Sequence, residues 1–156
     1  MRRLALVIGL MLGCGRFVTA QSFAVVVHKS SPVTNLRFAD LRAIFSGASP
    51  HWTQGGGMVL VERDNGSLAF RFLLNRVLNT TASEYKRTLA RIDFAGGTPP
   101  NIKILNTEGA ACKFVFNVPG SIAVIESDSL AMPECQQIQI VRIDGRLPAE
   151  EGYRLR

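Results

Sequence analysis

Val59-Leu60-Val61-Glu62-Arg63-Asp64-Asn65-Gly66-Ser67-Leu68-Ala69-Phe70 reads as a strand, a tight turn and the start of a helix. The apolar, β-branched run is strand-like, Asn-Gly turns the chain, and Ser67 stands where a helix N-cap is expected. The first N–H groups of a helix have no partner within it and carry partial positive charge, so such a turn can seat an anion. Arg63 at the strand end adds a cation with a fork of donors and is expected to face solvent. Under the plainer alternative, Ser67 only caps the helix and Arg63 is solvated.

The same grammar of strand, loop and helix recurs on both sides. Phe23–Val27 is a continuous apolar run, expected as a strand buried on both faces, and His28–Asn35 is a polar loop after it. Leu36, Leu41, Ile44 and Phe45 fall on one helical face, which Gly47 ends. Gly55-Gly56-Gly57 lacks the Gly-Lys-Ser/Thr of a nucleotide phosphate loop and is read as a turn. Met58–Val61 is a second strand and Leu68–Leu78 a helix with Phe70, Leu73, Leu74 and Val77 inward. Thr81-Ala82-Ser83-Glu84 is a capping box that opens another helix. A short strand at 102–105, a helix after Asn106-Thr107-Glu108 and a strand at 122–125 follow. Ile138–Ile143 alternates like a half-exposed edge strand, and Tyr153 and Leu155 can dock the polar tail. Alternating strands and helices give an α/β layered domain with a mostly parallel or mixed sheet and helices on both faces.

Arg2-Arg3, an apolar run from Leu4 to Gly13, and Val18-Thr19-Ala20 read as a signal peptide spanning residues 1–20, cleaved after Ala20. The run falls short of the roughly 20 apolar residues that span a bilayer, which disfavours a membrane anchor. The mature domain is then 21–156, in the periplasm. A minority alternative is lipoprotein processing at Cys14, since Met11-Leu12-Gly13-Cys14 loosely resembles a lipobox. Of 18 basic groups three lie in the leader, leaving 15 against 12 acidic ones, or +3. So small and scattered an excess does not suggest a nucleic-acid binder and is compatible with a small anion. With Cys14 removed, Cys112 and Cys135 form an even pair in an oxidising compartment, read as a disulfide, with two buried thiols as the alternative.

Enzyme and metal chemistry find little support. His28 and His51 are isolated in sequence, and no metal-ligand spacing surrounds them. Ser67 lies outside any Gly-x-Ser-x-Gly elbow, while Glu62 and Asp64 beside Arg63 read as a surface ion cluster. No cofactor and no catalytic residue is expected.

Three stretches together resemble the substrate-binding proteins of phosphate ABC transporters, in the periplasmic binding protein superfamily. Asp40–Gly47 followed by Trp52 resembles the family's LxxIFxG…W segment, and Val61–Ser67 its R-x-D-G-S-G-T ligand loop. Val118–Val124 resembles its T-P-G-A-I-G-Y turn and strand, and the tail from Val141 to Leu155 resembles a common ending. The resemblance covers one lobe of the usual two, the second, and implies a three-layer lobe of the type 2 periplasmic binding fold. It implies ligand contacts from Arg63, Asn65, Gly66 and Ser67, to which Ser30 and Ser31 after the first strand are added as contributors. Leu68 and Ala69 stand where the family has glycine and threonine, which removes a hydroxyl and a permissive backbone. The expected function is an exported single-lobe binding protein for phosphate or a related oxyanion. The rival is a degenerate lobe serving as an interaction or sensory module without anion binding. A membrane transporter or sensor protein is the implied partner, with a homodimer as a further option.

Overall fold

The computed structural model describes residues 21–156. The leader 1–20, its cleavage site and Cys14 lie outside the described residues. Five consecutive apolar residues need cover on both faces, and Phe23–Val27 obtains it as β1, at most 5% exposed anywhere along its length. After it come β2 (Asn35–Leu36), α1 (Phe38–Phe45), β3 (Val59–Arg63) and α2 (Leu68–Phe72), which continues as a π-helical segment, Leu73–Leu78. Then follow α3 (Ala82–Phe94), β4 (Asn101–Leu105), α4 (Glu108–Asn117), β5 (Ser121–Glu126) and β6 (Gln139–Ile143), with short 3-10 turns between the last two.

The six strands form one sheet in the order β2-β6-β1-β5-β3-β4. β3 runs parallel to both β4 and β5, and β2 runs parallel to β6, whereas β1 is antiparallel to β5 and β6. The sheet is therefore mostly parallel with one reversed strand. Alternation along the strands divides the core in two. Phe23, Val25, Leu60, Ile122 and Val141 meet α1, α2 and Tyr85 of α3 on one face. Ala24, Val26, Val61, Ala123 and Ile125 meet α4 and Cys135 on the other. These are the three layers expected from the sequence.

Several local readings hold. Ser67, Thr81 and Thr107 each accept the backbone N–H three residues on, and Glu84 closes the capping box onto Thr81. Tyr153 donates its hydroxyl to the Phe23 carbonyl at 2.8 Å, and Phe23 N–H reaches the Leu155 carbonyl at 2.9 Å, which fixes the tail against β1. Trp52 packs on the α1 side of the core and donates to the Gly120 carbonyl at 2.9 Å. Gly120 has φ +84°, and a Cβ there would stand 2.3 Å from the Gly57 carbonyl oxygen, so glycine is required at this crossing. Two readings are corrected. Leu36 belongs to β2 rather than α1, and β2 covers β6, so β6 is not an edge strand. A two-residue strand has too few positions to show a period, which is why the loop concealed it.

Cys112 on α4 and Cys135 are joined by a disulfide, 23 residues apart in sequence and buried in the α4-side core. It ties the single helix of that face to the turn before β6. Replacing both cysteines by serine should cost about 3 kcal/mol in the chain-entropy model, read as a lower urea midpoint in the oxidised protein.

Candidate functional site

The carboxyl ends of β3, β4 and β5 lie together because these strands are parallel. The turn 64–67 leaves β3 there, and Asn106-Thr107 leaves β4 directly beside it. Ser67 N–H bonds the Asp64 carbonyl at 3.0 Å, and Ser67 Oγ accepts Phe70 N–H at 3.1 Å. Leu68 and Ala69 hold first-turn positions, whose N–H groups have no carbonyl to meet within the helix. Asn65 and Gly66 are exposed and Ser67 is half-buried. α4 starts in the same way from Thr107, so two helix starts share this end of the sheet.

Arg63 is placed between them, but not as the sequence reading expected. Its side chain is 8% exposed, not solvent-facing. Nε donates to the Leu105 carbonyl at 3.1 Å, Nη2 to the Asn106 carbonyl at 2.9 Å, and Nη1 bonds the Glu108 carboxylate. All three partners belong to the β4–α4 junction, so the guanidinium fastens that turn to the end of β3. Asp64 is a looser neighbour at 3.7 Å. The Glu108 side chain is 12% exposed, and its Oε2 is buried with no hydrogen-bond partner. Burial pushes the Glu108 carboxyl above its ordinary range and the Glu126 charge adds to the rise, while Arg63 and a hydrogen bond from the Glu126 backbone pull the other way.

Glu62 is also corrected. It is 5% exposed rather than part of a surface cluster, because alternation turns it to the face opposite Arg63, under α3. There the Tyr85 hydroxyl donates to its carboxylate. Burial raises the Glu62 carboxyl above its usual value, and it also raises the Tyr85 phenol, with the Glu62 charge adding to that shift.

Ser30 and Ser31 do not join this site. β1 is antiparallel to β5, so its carboxyl end meets the amino ends of β5 and β3. The serines lie across the length of β3 from Arg63, roughly 15–20 Å away at 3.3 Å per residue. They line instead an open cleft of about 330 Å³ with Trp52, Gly55, Pro119 and Gly120. The rule that ligands gather beyond strand carboxyl ends assumes parallel strands, and β1 is the exception here. Sequence reasoning missed Glu108 as the partner of Arg63. Its signal was present: a carboxylate at the first helical position after the strand that pairs with β3. Among the described residues no group of three or more histidines, cysteines or carboxylates converges as a metal site.

No family model matches the sequence, and neither does any curated protein. Solved structures do. An ABC-type phosphate transport receptor from Vibrio cholerae matches with TM-score 0.68 at 18% identity, over 86% of this chain and 53% of that one. PstS from Borrelia burgdorferi matches with TM-score 0.70 at 16% identity, over 86% and 54%. A phosphate binding protein from Stenotrophomonas maltophilia gives 0.59 at 14%, over 82% and 40%. The chain spans about half the length of these structures. Its fold is similar to one part of each of these structures.

Two outcomes follow from the buried charges. Arg63→Ala should destabilise the fold by about 3–5 kcal/mol, because it leaves Glu108 buried without its cation; urea unfolding measures this. A solvent-facing Arg63, as the sequence suggests, would cost the fold little when removed; the buried pairing reverses that. Glu62→Gln should bring a relative gain in stability that grows as pH rises. The folded-state pKa of Glu62 lies above the unfolded value near 4.5, so its favourable contribution is complete below that value and is lost through the folded pKa. Thermal melts of both proteins from pH 4 to pH 8 would show the difference widening upward, and a constant difference would refute it.

Proposed function

We propose that this chain is an exported solute-binding lobe for a small oxyanion, phosphate first, seated on the turn from Asp64 to Ser67. The observation that carries the reading is the shared sheet end, where the Ser67 and Thr107 helix starts flank Arg63. First-turn N–H groups and a nearby guanidinium together favour a compact anion. The fold supports the same role, since the solved structures named above are phosphate-binding proteins. In this reading Asn65, Gly66 and Ser67 contact the ligand, Arg63 supplies charge, and the chain acts in the periplasm after cleavage at Ala20. A membrane transporter or a sensor would receive the bound form.

Two observations favour the second reading, a protein-interaction module without anion binding. Arg63 already has a carboxylate, and Leu68 and Ala69 offer neither glycine nor hydroxyl at the turn.

Calorimetry of the mature chain against inorganic phosphate separates the two. We expect a Kd between roughly micromolar and millimolar, or about −8 to −4 kcal/mol, because one lobe leaves a face of the ligand in water. Ser67→Ala should weaken binding and cost about 1 kcal/mol of helix stability through the lost cap. Leu68→Gly with Ala69→Thr should tighten it. No heat from the wild type or the double variant, both folded by circular dichroism, would leave the interaction module as the better account.

A further inference from the structure

The sheet divides the charge of the chain as well as its core. Helices α1, α2 with its π-helical continuation, and α3 carry six basic residues against three acidic ones. The basic residues are Arg42, Arg71, Arg76, Lys86, Arg87 and Arg91, all exposed, and among the described residues none of them forms an ion pair. On the opposite face, α4 and the turns before β6 carry Lys113 against Glu108, Asp128 and Glu134. α3 is the outer ridge of the basic face, with Tyr85 as its one buried residue. Arg87, Ala90, Arg91 and Phe94 recur at steps of three, four and seven, which sets them in one stripe on the side away from Tyr85. Phe94 is 91% exposed, and residues 95–99 beyond it are exposed throughout, so the stripe ends in a projecting tip. Of the two acids on α3, Glu84 feels the Arg87 charge but is turned back onto Thr80 and Thr81. Asp93 lies just over a quarter-turn aside from Phe94.

We propose that the outer stripe of α3 docks on an anionic phospholipid surface, with Arg87 and Arg91 among the headgroups and Phe94 entering the boundary beneath them. Charge complementarity selects the surface, because unpaired cations beside a membrane are drawn to anionic headgroups. Phe94 selects a lipid over a merely acidic polymer, since an aromatic ring among cations suits the layer between headgroup and acyl chain. The shape agrees, for a projecting tip reaches a plane without needing a fitted pocket. The acidic α4 layer is turned away from such a surface, so the polarity of the chain orients the contact. A second copy could also offer that acidic layer, but the contact would join unlike faces and continue into open chains. With so few cations and one ring, the attachment is reversible and sensitive to salt. It does not depend on the 64–67 turn.

Cosedimentation of residues 21–156, which hold both cores and the disulfide, with lipid vesicles tests it. The vesicles are phosphatidylcholine alone or mixed equally with phosphatidylglycerol, in phosphate-free buffer at low ionic strength. Binding is expected to the mixed vesicles and not to the neutral ones, weakened roughly tenfold in about 1 M salt. Phe94→Ser should weaken it roughly tenfold. Arg87→Gln with Arg91→Gln should weaken it roughly 25-fold, at about fivefold per cation. Lys113→Gln on the α4 face should leave it unchanged. All four replaced side chains are exposed, so the variants should melt as the wild type does. Phe94→Trp should bind at least as well, with its emission shifted to the blue on mixed vesicles over the Trp52 background of the wild type. No binding to mixed vesicles overturns the inference, and so does binding that the Phe94 and arginine variants leave intact. Displacement by inorganic phosphate at constant ionic strength would move the contact to the 64–67 turn, which also overturns it. Self-association without vesicles, seen by sedimentation velocity and abolished by the arginine substitutions, would assign the stripe to a second copy and overturn it equally.

Discussion

β1 sits at the centre of the sheet, with both cores built against its two faces. Its five residues are buried on both faces, and both of its edges are taken by β5 and β6. Full burial of such side chains contributes about 1.5–3 kcal/mol each as an upper estimate, so this one strand outweighs any surface interaction in the molecule. Phe23, Val25 and Val27 supply the core under α1 and α2, while Ala24 and Val26 supply the one under α4. The chain's end returns to it through Tyr153 and Leu155. Because β1 alone runs against the other strands, it also sorts the loops. Those following β3 and β4 gather at one end of the sheet, and the serine loop is sent to the other.

At the first of those ends the governing term is electrostatic. Two ionised groups withdrawn from water cost more than their attraction returns unless further hydrogen bonds complete them. Arg63 is completed by the Leu105 and Asn106 carbonyls, and the Glu126 backbone adds a hydrogen bond to the Glu108 carboxylate. The pair holds three elements in register, β3, β4 and α4, at the end of the sheet where α2 and α4 both begin. It also changes what the end of the sheet offers a ligand. An isolated guanidinium would make it strongly cationic, whereas the paired one leaves the first-turn N–H groups as the exposed positive feature.

Most of the frame could be read from the sequence because it rests on local patterns with strong periods. β1, β3 and β5 are apolar runs, α2 and α4 begin at serine and threonine caps, and α3 begins at a capping box. What escaped depends on direction and pairing. The reversal of β1 leaves no trace in its composition, since a strand buried on both faces looks alike in either direction. The burial of Arg63 could not be inferred from its own neighbours, for its partners lie more than forty residues away at Leu105, Asn106 and Glu108. Glu62 was misplaced for a simpler reason. Strand alternation extends to the end of β3, and a charged residue at an inward position reads as surface only because charge is usually outside.

The two kinds of legibility separate fold from site. The layers are maintained by the two cores and the Cys112–Cys135 bridge, none of which involves the residues of the 64–67 turn. Leu68, 41% exposed at the start of α2, has no packing duty that demands leucine, and no core contact forces glycine there either. The turn is thus free to exchange ligand chemistry for something else while the sheet stays intact, as sites grafted onto stable folds generally are. Arg63 is the one residue that belongs to both systems. Its backbone closes the parallel ladder of β3 with β4, and its side chain sets the charge beside the turn. A chain that lost oxyanion binding altogether would still have a structural reason to keep it, so the presence of this arginine is weaker support for a ligand than the turn beside it.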